Sequence, residues 1–184
     1  MAVPAVAEAG TDPVDDAAFR GALARFASGV TVISTVLDGV DHAMTASAFT
    51  SVSLDPRMVL ACSHKVNRFH DAVIASGVWG VSILAEEGMG ASGWFAKRGR
   101  PLDDQFGEFP HHRGANGMPL LDDALAWLEC TTVAVHDAGD HSILVGEVTG
   151  ARVRGEQFDN PLLYYRSHYG TIVRLPEDEK SVRP

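Results

Sequence analysis

Val30-Thr31-Val32-Ile33-Ser34-Thr35-Val36-Leu37-Asp38-Gly39 decides how the rest of the chain is read. The run is β-branched at most positions, which suits a pleated strand and costs side-chain freedom in a helix. Asp38-Gly39 then supplies the residue types that a tight hairpin needs. A second strand is therefore expected from Ala43 to Ser51. Asp55-Pro56 breaks it, and a third strand is expected from Met58 to Cys62.

Upstream, Asp15 and Asp16 offer an N-cap, and Phe19, Leu23 and Phe26 follow at i, i+4 and i+7, an amphipathic helix that Gly29 ends. Downstream, Phe69, Val73 and Ile74 predict a helix over Asn67 to Ser76, closed by Gly77. Val78 to Leu84 reads as a strand, Glu86 to Lys97 as a glycine-bearing helix, and Pro101 to Phe106 as a helical turn. Gly107 to Pro119 reads as a loop. Trp127 to His136 and Ile143 to Arg154 form a long pair around the turn Ala138-Gly139-Asp140, and Leu162 to Tyr165 a last short strand. Residues 1–14 and 175–184 read as disordered tails of one domain over 15–174. Strands dominate, so the expected fold is mainly β, an antiparallel barrel, closed or nearly so, with flanking helices.

Composition narrows the function classes. The 184 residues suit one domain, and 46% apolar with 21% charged content is an ordinary globular balance. A net charge of −9 argues against a nucleic-acid partner and against an anionic membrane surface. Met1 to Gly10 lacks a basic leader region and no apolar run is long enough to span a bilayer, so a cytoplasmic protein is expected. Cys62 and Cys130 sit in apolar runs and read as buried reduced thiols. His111-His112 stand without a His-x-x-x-His or a cysteine pair, so no metal site is expected. No Gly-x-Gly-x-x-Gly, P-loop or Gly-x-Ser-x-Gly occurs, and any nicotinamide is held without a Rossmann motif.

Four segments could carry chemistry. Thr45, Ser47, Ser51 and Ser53 fall on odd positions, so one strand face would present small hydroxyls to a flat ligand. Polar residues chosen for β-propensity explain the same pattern. Ser63-His64-Lys65-Val66-Asn67-Arg68 leads from a strand into a helix, a natural anion site or an ordinary basic loop. Gly139-Asp140-His141 would place a histidine at a barrel rim. Tyr164-Tyr165-Arg166-Ser167-His168-Tyr169 sets aromatics around an arginine, which suits ring stacking, phosphate binding or core closure.

In this order, over Phe19 to Gly170, these strings resemble the flavin reductase family with the FMN-binding split barrel. Its members are the small reductase components of two-component flavin monooxygenases. The resemblance implies an antiparallel Greek-key split β-barrel, a homodimer, and a flavin near the subunit interface. FMN or FAD would take a hydride from NADH or NADPH, and the reduced flavin would pass to a partner flavin-dependent monooxygenase. Thr45, Ala46, Ser47, Ala48 and Ser51 would line the isoalloxazine and ribityl chain. Ser63, Lys65, Asn67 and Arg68 would reach the flavin phosphate, and Phe95 and Lys97 lie in a second cofactor-contacting segment. His141 matches the family histidine associated with nicotinamide, with Arg166 and Tyr169 in the segment that follows. No side chain is required as acid or base. This chain departs from the family pattern at Ala43, Ala48 and Arg57, where glycine, serine and proline are usual. Two other readings keep the flavin: a non-enzymatic carrier, and an oxidase of the pyridoxamine phosphate type. No arginine cluster marks a site for a 2′-phosphate.

Overall fold

The computed structural model describes residues 14–155 and 160–173. The tails expected at 1–14 and 175–184 lie outside the described residues, Val14 excepted.

Asp15 caps α1 (Asp16–Leu23), its carboxylate accepting the Ala18 N–H at 2.7 Å. The helix stops at Leu23, not at Gly29. Ser28 and Gly29 form β1 (Ser28–Gly29), which is drawn into a ladder with Tyr164 and Leu163. The α1 stripe is not buried: Phe19, Leu23 and Phe26 are all exposed.

β2 (Thr31–Leu37) and β3 (Val40–Ala46) form the expected hairpin, with Leu37 paired to Val40 and with Asp38 and Gly39 both at positive φ. Then come β4 (Phe49–Leu54), β5 (Arg57–His64), α2 (Arg68–Ser76), β6 (Val78–Leu84) and α3 (Met89–Ala96). The segment expected as a loop contains a small hairpin, β7 (His111–Arg113) with β8 (Pro119–Leu121), whose apolar residues are buried. β9 (Ala124–Ala138) and β10 (His141–Val153) are the long pair. β11 (Leu163–Tyr165) and β12 (His168–Gly170) close the described chain. The hairpin between them turns on Arg166 and Ser167, both in the left-handed region at φ 49° and 65°.

Seven strands make one antiparallel sheet in the order β3-β2-β6-β9-β10-β5-β4. The strand expected from Ala43 to Ser51 is therefore two strands at opposite edges of this sheet. Ala46 pairs with Thr31 on one edge, and Phe49 pairs with Ala61 on the other. The step Ser47-Ala48 crosses between them, which requires the sheet to curl on itself. Ser63 on β5 and Met44 on β3 meet across the gap, Oγ to Sδ 3.7 Å, although the two strands share no ladder. That is the split in the barrel.

Ile33, Met44, Ala61, Trp79, Val81 and Leu144 fill the interior, and α2 plugs it with Phe69 and Val73. Trp79 is fully buried, and removing such a ring costs about 3–5 kcal/mol. Gly146 lets β10 pass the indole, since a Cβ there would lie 2.4 Å from Trp79 Cζ2. A second cluster, with Val32, Leu84, Phe95, Phe106 and Leu162, packs α3 on the outside of the barrel. No helix among the described residues is long and apolar enough to cross a membrane.

Candidate functional site

A cleft of about 440 Å³ opens between β3, the start of α2 and the end of α3. Each wall has a local cause. Asn67 takes an extended conformation ahead of α2 but makes no side-chain cap, so the first N–H groups of the helix have no side-chain acceptor there. Arg68 follows, and its guanidinium donates to the Arg100 carbonyl. On α3, Phe95 turns into the core, while Lys97 takes an extended conformation that ends the helix. Thr45, Asn67, Arg68, Phe95 and Lys97, five of the expected cofactor residues, line this one cleft.

The charge is one-sided. Arg68, Lys97, Arg98 and Arg100 line the cleft and no carboxylate does. Arg100 is buried, and its guanidinium donates to the carbonyls of Trp94, Phe95 and Lys97 at 3.1, 2.7 and 2.5 Å and to that of Ala43 at 2.7 Å. It thus caps the negative end of α3 and ties it to β3. Burial first, and then the Arg68 charge, lower its pKa from the ordinary value. The same two causes lower His42 from its ordinary value of 6.5, so the neutral imidazole is favoured.

Among the described residues, three buried side-chain polar atoms have no hydrogen-bond partner, namely His42 Nδ1, Arg100 Nε and Gln105 Oε1, and all three residues line the cleft. Buried groups left unmatched are costly, and these three lie in the walls of the cleft. Cations with no carboxylate and an open helix start fit a phosphate-bearing flavin. His42, Arg98, Arg100 and Gln105 were not expected from the sequence. The charge run Lys97-Arg98-Gly99-Arg100 was the one signal that could have found them.

The other expected residues lie around this centre. Ala46 is buried beside the core, whereas Ser47, Ala48 and Ser51 are exposed along the edge crossing and on β4. The single hydroxyl-bearing face expected from alternation is thus divided. Ser63 is buried and its hydroxyl faces Met44, not the cleft. Lys65 is engaged by the Asp137 carboxylate and by the Gly139 carbonyl at 2.6 Å. His141 heads β10 with Nδ1 2.7 Å from Asp140, beside the loop that leads into α2. The hydrogen bond from His141 is the main cause holding the Asp140 carboxyl below its usual range. Tyr169 reaches the Ser92 hydroxyl at 2.8 Å, and Thr45 donates to the Ser92 carbonyl at 2.7 Å, so β12 is linked through α3 to the cleft. Arg166 sits at the exposed hairpin tip, its N–H bonded to the Ala24 carbonyl. Of the thiols, Cys130 is buried as expected and Cys62 is only half-buried.

A split antiparallel barrel with a cation-lined cleft is an architecture suited to an anionic ligand of the flavin-nucleotide kind. The family model described as Flavin reductase like domain matches residues 23–173, and the chain belongs to that family. It is 35% identical over 159 residues to the reductase subunit HsaB of a flavin-dependent monooxygenase from Mycobacterium tuberculosis, covering 86% of this chain and 83% of that one. It is similar to BorF, the flavin reductase component of a bacterial two-component tryptophan halogenase, at 38% identity and TM-score 0.80, covering 88% and 100%. It is also similar to the NADH:FAD oxidoreductase SgcE6 of Streptomyces globisporus, solved in complex with NAD and FAD fragments, at 32% identity and TM-score 0.80, covering 92% and 98%. These likenesses favour neither the carrier nor the pyridoxamine phosphate oxidase.

Proposed function

We propose that this chain is an NAD(P)H-dependent flavin reductase that reduces FMN or FAD and supplies the reduced flavin to a partner monooxygenase. The observation that carries the reading is the cleft lined by four cations and no carboxylate in a chain that is otherwise strongly acidic. When bound, the flavin accepts a hydride from the nicotinamide; the protein supplies position and polarity. Arg68, Lys97 and Arg98 hold the phosphate electrostatically, with the open start of α2 adding N–H donors. Thr45 orders the cleft wall through Ser92. The exposed crossing Ser47-Ala48 and the start of β4, with Ser51, give a flat ring room to lie against backbone. His141 orients the nicotinamide at the rim, with Arg166 and Tyr169 on the neighbouring hairpin. Ser63 and Lys65 support this arrangement through the barrel split and the β9–β10 turn.

A homodimer supports the same reading. Phe19, Leu23 and Phe26 on and just after α1, and Val52 and Leu54 on β4, are exposed in the single chain and are candidates for burial between two copies. Dependence on NAD(P)H places the reaction in the cytoplasm, where that pool is kept reduced.

The test is to mix the protein with excess FMN and NADH without oxygen and follow the flavin and nicotinamide absorbance bands. Turnover of many equivalents of flavin supports a reductase that releases its product. Absence of any bleaching with FMN, FAD or riboflavin, and with NADPH in place of NADH, overturns the proposal.

A further inference from the structure

Asp140 lies on the turn between β9 and β10, and its side chain is 74% exposed. Its backbone is fixed: the Lys65 N–H donates to the Asp140 carbonyl at 3.0 Å, and the Lys65 ammonium bonds the Gly139 carbonyl at 2.6 Å. The carboxylate, by contrast, is placed by two imidazoles. His141 Nδ1 stands 2.7 Å from Oδ1, and His64 Nε2 stands 3.5 Å from Oδ2. The Val66 N–H donates to His64 Nδ1 at 3.1 Å, so that nitrogen carries no proton, and the imidazole proton is on Nε2 beside the carboxylate. His64 also packs its ring on that of His141, its partner in the β5–β10 ladder, with centroids 4.7 Å apart. His64 is the better buried of the two, at 26% exposed against 42%. It ends β5, and Val66, Asn67 and Arg68 just beyond it line the cleft.

We propose that His64 is a positioning residue for His141. It restrains the His141 ring by direct packing, and it steadies the second oxygen of the carboxylate to which His141 donates. An exposed aspartate on a glycine turn otherwise samples several rotamers, and a moving carboxylate releases the ring bonded to it. The inference rests on the proposed reductase function, in which His141 orients the nicotinamide. His64 acts through His141 and not on a substrate. Its effect is therefore read in NADH affinity and not in flavin affinity.

Steady-state kinetics with NADH varied, beside a calorimetric FMN titration, tests this in His64→Phe, with thermal melting to confirm the fold. Phenylalanine keeps a ring against His141 and removes both nitrogens. The KM for NADH is expected to rise by about two- to five-fold, with FMN affinity changed by less than about two-fold. In a His141→Ala background the same substitution is expected to change that KM by less than about 1.5-fold, because the residue it acts through is gone. His64→Gln, whose amide offers one donor and one acceptor, is expected to recover most of the wild-type KM. Unchanged NADH kinetics in His64→Phe overturns the proposal. So does a KM effect that persists without His141, a matching loss of FMN affinity, or a glutamine variant no better than phenylalanine. If His64→Phe does not fold, His64→Ala takes its place and is read against the same outcomes. Wild type that oxidises no NADH with FMN, FAD or riboflavin overturns the reductase reading and this inference with it. Wild type that turns over, with His141→Ala impaired and His64 variants unaffected, overturns this inference alone.

Discussion

His64 and His141 face each other across the β5–β10 ladder, ring centroids 4.7 Å apart, with the Asp140 carboxylate touching both. His141 Nδ1 is 2.7 Å from that carboxylate, which can only accept, so this nitrogen carries a proton and the ring is held in place. His141→Ala is expected to raise the KM for NADH by about three- to ten-fold, the value of one hydrogen bond, with flavin affinity changed by less than about two-fold. Steady-state kinetics with NADH varied, set beside a flavin titration, checks the split. Unchanged NADH kinetics removes His141 from the site.

On the proposed function, Arg68 and Lys97 act on the phosphate as charges. Arg68→Ala is expected to weaken FMN binding by about ten-fold or more and to leave riboflavin, which has no phosphate, nearly unaffected. Isothermal titration of both ligands reads the difference. Equal loss for both ligands places the phosphate elsewhere.

His42 links the cleft to pH. Its pKa is lowered from 6.5 by burial first and then by Arg68, so the folded state resists a proton that the unfolded chain accepts. Stability is then full above the ordinary value and declines as pH falls through 6.5, until the folded-state pKa is passed. Denaturant melts between pH 8 and about pH 5 are expected to show this decline, and His42→Gln to flatten part of it. A variant with the same pH slope as the wild type rules His42 out as the cause.

Gly146 is required by its neighbour. Gly146→Ala forces a Cβ to within 2.4 Å of Trp79 Cζ2, and overpacking of this kind costs about 1–3 kcal/mol. The change is expected as a lower denaturation midpoint at an unaltered slope. A midpoint equal to that of the wild type means the indole moves freely.

Cys130 is pushed up to about 12, by burial first and then by Glu129, and burial also raises Cys62. The thiolate is the reactive form, so neither residue is expected to label quickly with iodoacetamide at neutral pH, and half-buried Cys62 is expected to react first. Mass spectrometry of a labelling time course distinguishes the order.

The strands were legible because β-branched runs and Gly or Pro breaks mark them locally. Val30 to Leu37, Val78 to Leu84 and the β9–β10 pair needed nothing beyond composition and turn chemistry. The division of Ala43 to Ser51 was not legible. Every residue in that stretch tolerates an extended conformation, and only the distant partners Thr31 and Ala61 show that it serves two sheet edges. The α1 stripe announced a buried face, but among the described residues nothing covers Phe19, Leu23 and Phe26. In the cleft, Thr45, Asn67 and Arg68 lay in segments whose pattern already suggested ligand binding, whereas Phe95 and Lys97 were pointed to by the family resemblance alone. Arg100 and Gln105 did not, because a charged residue in a Gly-containing run reads as solvated, and only tertiary structure reveals that Arg100 folds under α3 to meet four carbonyls. His42 was masked for the same reason, its neighbours coming from α2 and from the Arg100 segment.

The contrast between a −9 chain and a carboxylate-free cleft also bears on how fast a ligand arrives. Flavin nucleotides and NAD(P)H are anions, and most of this surface turns them away. Under the proposed function, the mouth beside Arg68, Lys97 and Arg98 would draw them in and steer encounters toward the cleft. Such steering acts over about one Debye length, so association slows as salt is added even where the final bound state is little changed. The same field would favour quick recapture of one anion once another has left.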